Sequence, residues 1–159
     1  MRYKVAPDPD GADLATVQRA VPLVPDPSRD CCASVRDATG LSDRETAREW
    51  LTFATALGLV AETDRRHRRT DGDPASDDLR RAFERNVFGV REIRSALADD
   101  GPLPPSDVFE RLRPSIPDWE RGRHADWERE WHERTRRLLA WGRRFGSFAR
   151  EDDRYRLTE

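Results

Sequence analysis

Residues 39–51 read TGLSDRETAREWL, and this stretch decides the fold expected for the first half of the chain. Gly40 can adopt a positive φ without a steric penalty, which suits it to the end of a helix and the turn that follows. Ser42 lies three residues before Glu45, a spacing typical of a capping box at the start of a helix. The stretch therefore predicts two helices joined by a tight turn, with Ser42 as the cap of the second helix.

The second of these helices carries one apolar face. Its apolar residues recur at the helical steps i, i+3, i+4, i+7 and i+10, namely at Ala47, Trp50, Leu51, Ala54 and Leu57. Gly58 is expected to end the helix, a strand is expected over 59–61, and residues 64–73 (DRRHRRTDGD) are expected to form a hairpin loop.

The other elements follow from prolines, glycines and helical periodicity. They are a short helix over about 13–20, an extended connector over 21–27, a helix from Ser28 to about Ala38, one or two helices over 79–97, a short helix capped by Ser106, one long helix over about 117–144, and a β-hairpin over 146–159. The loop over 70–78 is the best boundary, so we expect units over 1–73 and 74–159. The halves repeat a pattern of elements without recognisable sequence similarity, so no internal repeat is predicted.

Arginine dominates the basic residues. Of the 29 Lys and Arg residues only Lys4 is a lysine, and the formal net charge is −2. Arginine binds phosphates and guanine edges through a planar fork of donors, although a GC-rich genome would also explain its abundance. Arginine in place of lysine, with abundant aspartate, resembles the proteins of extremely halophilic archaea. A near-neutral member of that class is relatively basic for its setting, which favours a polyanionic partner.

Several functional classes are disfavoured. No apolar run approaches the roughly 18 residues of a membrane span, and the first residues (MRYKVAPDPDG) do not resemble the apolar region of a signal peptide, so we expect a cytoplasmic protein without membrane association. The sequence has no phosphate-binding glycine loop and no nucleophile elbow, so we expect neither enzymatic activity nor a cofactor. His124, Glu128 and His132 share a helical face but lack a fourth ligand, so no metal site is predicted.

Residues 35–62 (VRDATGLSDRETAREWLTFATALGLVAE) resemble the core of winged helix-turn-helix domains. The resemblance rests on the turn and cap at 39–42, on the amphipathic helix that follows, and on the entry into a wing strand at 57–60. It covers residues 10–70 well and the second half more loosely, so the chain resembles haloarchaeal tandem winged-helix proteins. It implies a mainly α fold with small β-hairpin wings (α+β), built from tandem winged helix-turn-helix units.

The same resemblance implies a DNA-binding surface. In winged-helix domains the helix after the turn lies in the major groove, and the wing touches the backbone or the minor groove. The helix positions on this chain would be Arg44, Thr46, Arg48 and Thr52, and the wing positions Arg65, Arg66, His67, Arg68 and Arg69. The implied function is double-stranded DNA binding, in transcription regulation or DNA architecture. Glu49, on the same helix, opposes contact with phosphates.

Two alternatives remain open because a fold does not fix a function. A tandem winged-helix adaptor would bind a protein partner instead of DNA, through an apolar or mixed patch on the C-terminal unit. Part of the tryptophan stripe of that unit could instead form a homodimer interface, as in winged-helix regulators with long terminal helices. The tryptophans of the second half are expected mainly in its core, with a base-stacking platform as the other interpretation: Trp119, Trp127, Trp131 and Trp141. The adjacent Cys31 and Cys32 leave a redox-responsive regulator as a third class.

Overall fold

The computed structural model divides the chain into two compact units, unit 1 over Met1–Val87 and unit 2 over Phe88–Glu159. It describes residues 3–4, 6–26, 28, 30–123 and 125–158. Unit 1 extends beyond the boundary expected near residue 73 because the helix before Val87 is bound to the rest of the unit. The Asn86 side-chain amide donates to the Ala56 carbonyl at 2.9 Å, and the Tyr3 amide donates to the Asn86 carbonyl at 2.7 Å.

Unit 1 contains four helices and one two-stranded sheet within its described residues. They are α1 (Leu14–Arg19), α2 (Cys31–Thr39), α3 (Arg44–Ala56), β1 (Val60–Thr63), β2 (Arg66–Arg69) and α4 (Asp78–Asn86). The strands are antiparallel, with Val60 opposite Arg69. The prediction of a loop over 64–73 was wrong, because residues 66–69 pair along β1 and the Arg69 amide also donates to the Pro22 carbonyl at 2.6 Å.

Aspartates cap both helices around the turn. Asp30 caps α2, and its carboxylate accepts a hydrogen bond from the Ala33 amide at 3.2 Å. Asp43 caps α3 and accepts from the Thr46 amide at 2.7 Å. The predicted caps Ser28 and Ser42 were therefore wrong, each because an aspartate follows it and a carboxylate accepts well from amides at a positive helix end. Gly40 ends α2 with φ 77°, as predicted.

The predicted apolar face of α3 is confirmed. All five of its residues are buried: Ala47, Trp50, Leu51, Ala54 and Leu57. Burying a large apolar side chain contributes about 1.5–3 kcal/mol to stability. This face therefore fixes which side of α3 remains available to a partner.

Unit 2 contains further helices and a second hairpin. They are α5 (Val90–Asp100), α6 (Pro105–Leu112), a 3₁₀ turn (Arg113–Ser115), α7 (Asp118–Arg123), α8 (Trp127–Phe145), β3 (Phe148–Glu151) and β4 (Arg154–Leu157). The predicted long helix over 117–144 is instead two helices, α7 and α8. The predicted cap Ser106 lies inside α6, which begins at Pro105, because proline suits the first turn of a helix.

The core of unit 2 is aromatic. Phe109, Leu112, Ile116 and Trp131 form one buried cluster. The rings of Phe88 and Trp131 meet edge to face with their centroids 5.7 Å apart. Such aromatic pairs add about 0.5–1.5 kcal/mol beyond their buried area, so the tryptophan at 131 serves the core.

Each unit ends its main helix and begins its hairpin in the same way. The sequence offset between equivalent residues is 88 positions, from Val60 at the start of β1 to Phe148 at the start of β3. The preceding glycines, Gly58 and Gly146, have φ 81° and 83°. Both hairpins have strands of four residues and a two-residue turn.

The hydrogen bonds around this junction are also equivalent. The Leu59 amide donates to the Ala54 carbonyl at 3.0 Å, and the Ser147 amide donates to the Gly142 carbonyl at 2.7 Å. After the hairpins, Thr70 and Thr158 each donate a hydroxyl hydrogen bond back to the preceding glycine, to Gly58 and Gly146 respectively.

On this alignment nine of the 27 residues over 44–70 are identical to those over 132–158. The expectation that the halves share no sequence repeat therefore requires correction. The identities were hard to see because the buried positions differ, such as Trp50 against Leu138 and Phe53 against Trp141.

Candidate nucleic-acid interface

The exposed side of α3 carries two of the predicted arginines. Arg44 and Arg48 are both exposed, one helical turn apart. Thr46 and Thr52 are half-buried, and Thr46 is occupied at the helix cap, where its hydroxyl donates to the Asp43 carboxylate at 3.0 Å. These hydrogen bonds, from the Thr46 amide and then from its hydroxyl, lower the pKa of Asp43.

Arg44 is engaged in an ion pair. Its guanidinium Nη1 lies 2.5 Å from the Asp30 carboxylate, with the two side chains 54% and 46% exposed. The hydrogen bond from Arg44, together with that from the Ala33 amide, holds the pKa of Asp30 below its usual value. Because Asp30 neutralises Arg44 locally, a phosphate would have to compete with this carboxylate. Arg48 has no such competitor among the residues that the structure describes.

The wing hairpin β1–β2 places its arginines on two faces. Directly opposite residues in an antiparallel pair share a face, and neighbours along a strand alternate. Arg66 is opposite Thr63, and Arg68 is opposite Ala61, so these two exposed arginines lie on one face. Neither has an ion-pair partner within the described parts of the chain, which leaves both available to an external anion.

The other wing face is less accessible. His67 is opposite Glu62, and its Nε2 lies 3.6 Å from the Glu62 carboxylate. Arg69 is opposite the buried Val60 and is half-buried, with its Nε enclosed. The five predicted wing residues therefore do not form a single basic loop.

Arg65 lies at the tip of the wing. Asp64 and Arg65 both have positive φ, 53° and 66°, which is typical of the two-residue turn that matches the twist of a hairpin. Aspartate tolerates the left-handed region better than most residues do. The turn keeps the Arg65 side chain exposed.

A groove of about 500 Å³ separates the wing tip from the starts of α2 and α3. Its charged lining mixes both signs: Arg44, Arg65 and Arg66 face it together with Asp26, Asp30 and Asp64. The structure thus brings the start of α3 and the wing tip together around one groove, but without a uniformly positive surface. Sequence reasoning missed the aspartates because they lie before the turn and in the hairpin turn.

The two cysteines also line this groove. Cys31 is buried and Cys32 half-buried, and neither forms a disulfide. Redox sensing through the pair stays a prediction.

Most tryptophans of unit 2 are buried in the core or stacked against arginine side chains. Trp131 and Trp141 are buried, whereas Trp119 is 58% exposed. The ring of Trp127 lies beneath two guanidinium groups, with Arg113 at 5.3 Å and Arg121 at 5.4 Å from its centroid. Its π-faces are therefore engaged by cations within the unit, which disfavours base stacking there.

The sequence indicated a basic surface on the C-terminal helix, but no individual arginine of unit 2 was assigned from it. At the 88-residue offset, Arg48 corresponds to Arg136 in α8. The wing residues Arg66 and Arg68 correspond to Arg154 and Arg156 in β4. The alternating arginines of RYRL (residues 154–157) could have indicated a basic wing face. They are recognised as such only by comparison with the matching hairpin of unit 1.

The described ranges contain neither a membrane-spanning helix nor a cluster of metal-ligating side chains. No helix there combines the length and apolar character needed to cross a membrane. No group of three or more His, Cys, Asp or Glu side chains there is arranged to hold a metal ion. His124, which was weighed as a ligand, lies outside the described residues.

The sequence matches the halobacterial double winged helix domain family over residues 1–159. No curated protein and no solved structure was found to match. Because the match spans the whole chain, this protein belongs to that family, and its mainly α fold with small β wings agrees with it. Winged-helix domains are associated with DNA binding and regulation and are typically not enzymes.

Proposed function

Starting from membership of the halobacterial double winged-helix family, we propose that this protein binds double-stranded DNA as a regulator or architectural protein. In this proposal α3 enters the major groove, and the β1–β2 wing contacts the backbone. The observation that carries it is the pair of exposed arginine sites in unit 1, Arg48 on the helix and Arg66 with Arg68 on one wing face.

These three arginines support phosphate contact because of their surroundings. None of them is engaged by a carboxylate among the described residues, so binding a phosphate requires no internal ion pair to break. A guanidinium fork also fits a phosphate with two parallel hydrogen bonds. Arg65 at the wing tip adds a fourth contact, and Arg44 becomes a contact only when a phosphate displaces Asp30.

The remaining predicted residues have supporting roles in this proposal. His67 and Arg69 lie on the less accessible wing face and would orient the wing. Thr46 holds the start of α3 through its hydrogen bonds to Asp43, and Thr52 lies further along the same helix. The cytoplasm is the expected compartment.

Fluorescence anisotropy of a labelled duplex, titrated across a potassium chloride series, tests the proposal. The wild type is compared with the unit 1 variant, Arg48→Gln/Arg66→Gln/Arg68→Gln. A control variant removes three charges from other exposed arginines, Arg81→Gln/Arg85→Gln/Arg91→Gln, which have no ion-pair partner among the described residues. The series begins at the lowest salt at which circular dichroism shows the folded state.

Each phosphate that the protein neutralises contributes about −0.9 to the slope of log affinity against log salt. We therefore expect the unit 1 variant to flatten the slope by about 2 to 3, with a much smaller change in the control. Equal effects of the two variants would reject the proposed site. Folded wild type that fails to bind mixed genomic fragments would reject DNA binding and favour the protein adaptor.

A further inference from the structure

We infer that unit 2 carries a second duplex-contact surface, formed by Arg136 on α8 and by Arg154 and Arg156 on β4. It would bind the same ligand class as unit 1, the phosphate backbone of double-stranded nucleic acid. The inference rests on the proposed function, because the ligand class is taken from it.

The first support is the equivalence of the two backbones. From the end of the main helix through the hairpin, the two segments have the same lengths, the same left-handed glycine and the same hydrogen bonds to it. A side chain at an equivalent position therefore projects from its own unit in an equivalent way. Arg136 occupies the position of Arg48 on its helix, and both are exposed.

The second support is the register of the second wing. Arg154 is opposite Glu151, and Arg156 is opposite Ala149. These pairs match Thr63–Arg66 and Ala61–Arg68 in the first wing. Arg154 and Arg156 thus share one wing face, and both are exposed, whereas Tyr155 between them is buried.

The charges around this surface are not identical to those of unit 1. Arg136 and Arg154 have no ion-pair partner in the described portion of unit 2. The Arg156 Nε lies 2.6 Å from the Glu151 carboxylate, where the first wing has Thr63. Glu151 therefore competes with a phosphate for Arg156, as Asp30 does for Arg44 in unit 1.

Two surfaces in one chain make a specific prediction about salt dependence. The unit 2 variant, Arg136→Gln/Arg154→Gln/Arg156→Gln, should flatten the slope of log affinity against log salt by about 2 to 3 in the full chain. The combined six-residue variant should flatten it by roughly the sum of the two. The same three-arginine control as above calibrates the loss of charge alone.

A gain-of-function variant guards against misfolding of the triple variant. Glu151→Gln removes the carboxylate that engages Arg156 and should steepen the slope by up to about 0.9. This gain should vanish when Arg156→Gln is added. A destabilised protein would not produce a gain that depends on a single arginine.

The outcomes separate the two proposals. If the unit 1 variant flattens the slope while the unit 2 variant matches the three-arginine control and Glu151→Gln matches wild type, the second surface is overturned and the proposed function stands. If only the unit 2 variants change the slope, the second surface stands and the unit 1 site is overturned. If folded wild type binds no duplex, both fall.

Discussion

The two units share a helix–wing junction but anchor the start of the main helix differently. In unit 1 a short turn over residues 40–43 joins α2 to α3, whereas in unit 2 residues 113–126, with the 3₁₀ turn and α7, separate α6 from α8. Unit 1 fixes its helix start with polar groups, through the Asp43 cap. The equivalent position in unit 2 is Trp131, which lies in the second turn of α8 and is buried in the core.

The next residue along shows the same contrast. Arg44 pairs with Asp30, while the equivalent His132 stacks on Phe109 with ring centroids 3.8 Å apart. A short turn leaves the helix start near water, where caps and ion pairs suffice. In unit 2 the main helix begins five residues earlier on this alignment, at Trp127, so the equivalent positions lie within the helix and pack against Phe109 of α6. The comparison teaches that the junction with the wing can be retained while the approach to the helix changes.

The largest expected effect tests the junction itself. A Cβ at position 142 would overlap the Phe148 ring, whereas unit 1 has Ala54 and Val60 at the equivalent positions. Gly142→Ala should therefore destabilise the protein by about 1–3 kcal/mol through overpacking. In a Phe148→Val background the same change should become neutral or stabilising by up to about 1 kcal/mol, because alanine favours a helix more than glycine does.

Chemical unfolding in denaturant measures these free energies for the four proteins of the cycle. Gly122→Ala is the control, because no atom lies within 4 Å of a Cβ built at this exposed helical glycine. If Gly142→Ala lowered the free energy of unfolding equally in both backgrounds, overlap with the Phe148 ring would not be the cause. The pairs Gly142–Phe148 and Ala54–Val60 would then not be alternative ways to pack the same junction.

A smaller effect should follow from separating Arg44 from its partner. Asp30→Asn keeps an oxygen that can cap α2 but removes the charge that engages Arg44. We expect the slope of log DNA affinity against log salt to steepen by up to about 0.9, since one further arginine becomes available to a phosphate. Anisotropy across the salt series measures this, and the gain must disappear in the Asp30→Asn/Arg44→Gln double variant. A gain that survives there would contradict a role for Arg44.

The smallest effect concerns the polar anchor of α3. Its hydrogen bonds from Thr46 lower the pKa of Asp43 in the folded state, so the carboxylate stabilises the fold above its unfolded pKa of about 3.9. That contribution is lost as the pH falls through the lowered folded-state value. The difference in melting temperature between wild type and Asp43→Asn should therefore change between about pH 5 and pH 2.

Melting curves at a series of pH values provide this measurement. Asp126→Asn is the matched control, because Asp126 precedes α8 without a side-chain hydrogen bond to the helix. The same acid dependence in both variants would show that the effect does not arise at the α3 cap.

Much of unit 1 could be predicted from the sequence, because the spacing of apolar residues and the backbone freedom of glycine depend only on neighbouring residues. The buried face of α3 and the left-handed Gly40 needed only neighbouring residues to be recognised. Strand β2 (RHRR) could not be predicted in this way, because its residues have little intrinsic preference for strands. Pairing with β1 and the bond from Arg69 to Pro22 make it a strand.

The sequence identified exposed arginines of the candidate site, but it did not identify the carboxylates that pair with some of them. Arg48, Arg66 and Arg68 were named from the sequence and are exposed. The pairing of Arg44 with Asp30 joins the first residue of α3 to the cap of α2, so it depends on how those helices pack. The alternation of wing faces likewise depended on recognising β2 as a strand.

The contact between Gly142 and Phe148 has a consequence for the evolution of this family. Neither residue can change alone without overlap or an empty space, so the two positions should vary together. Relatives with valine or another small residue at the start of the second wing should carry alanine in the helix, as the first unit does with Ala54 and Val60. In each wing, packing thus couples the choice of residue at two positions six residues apart.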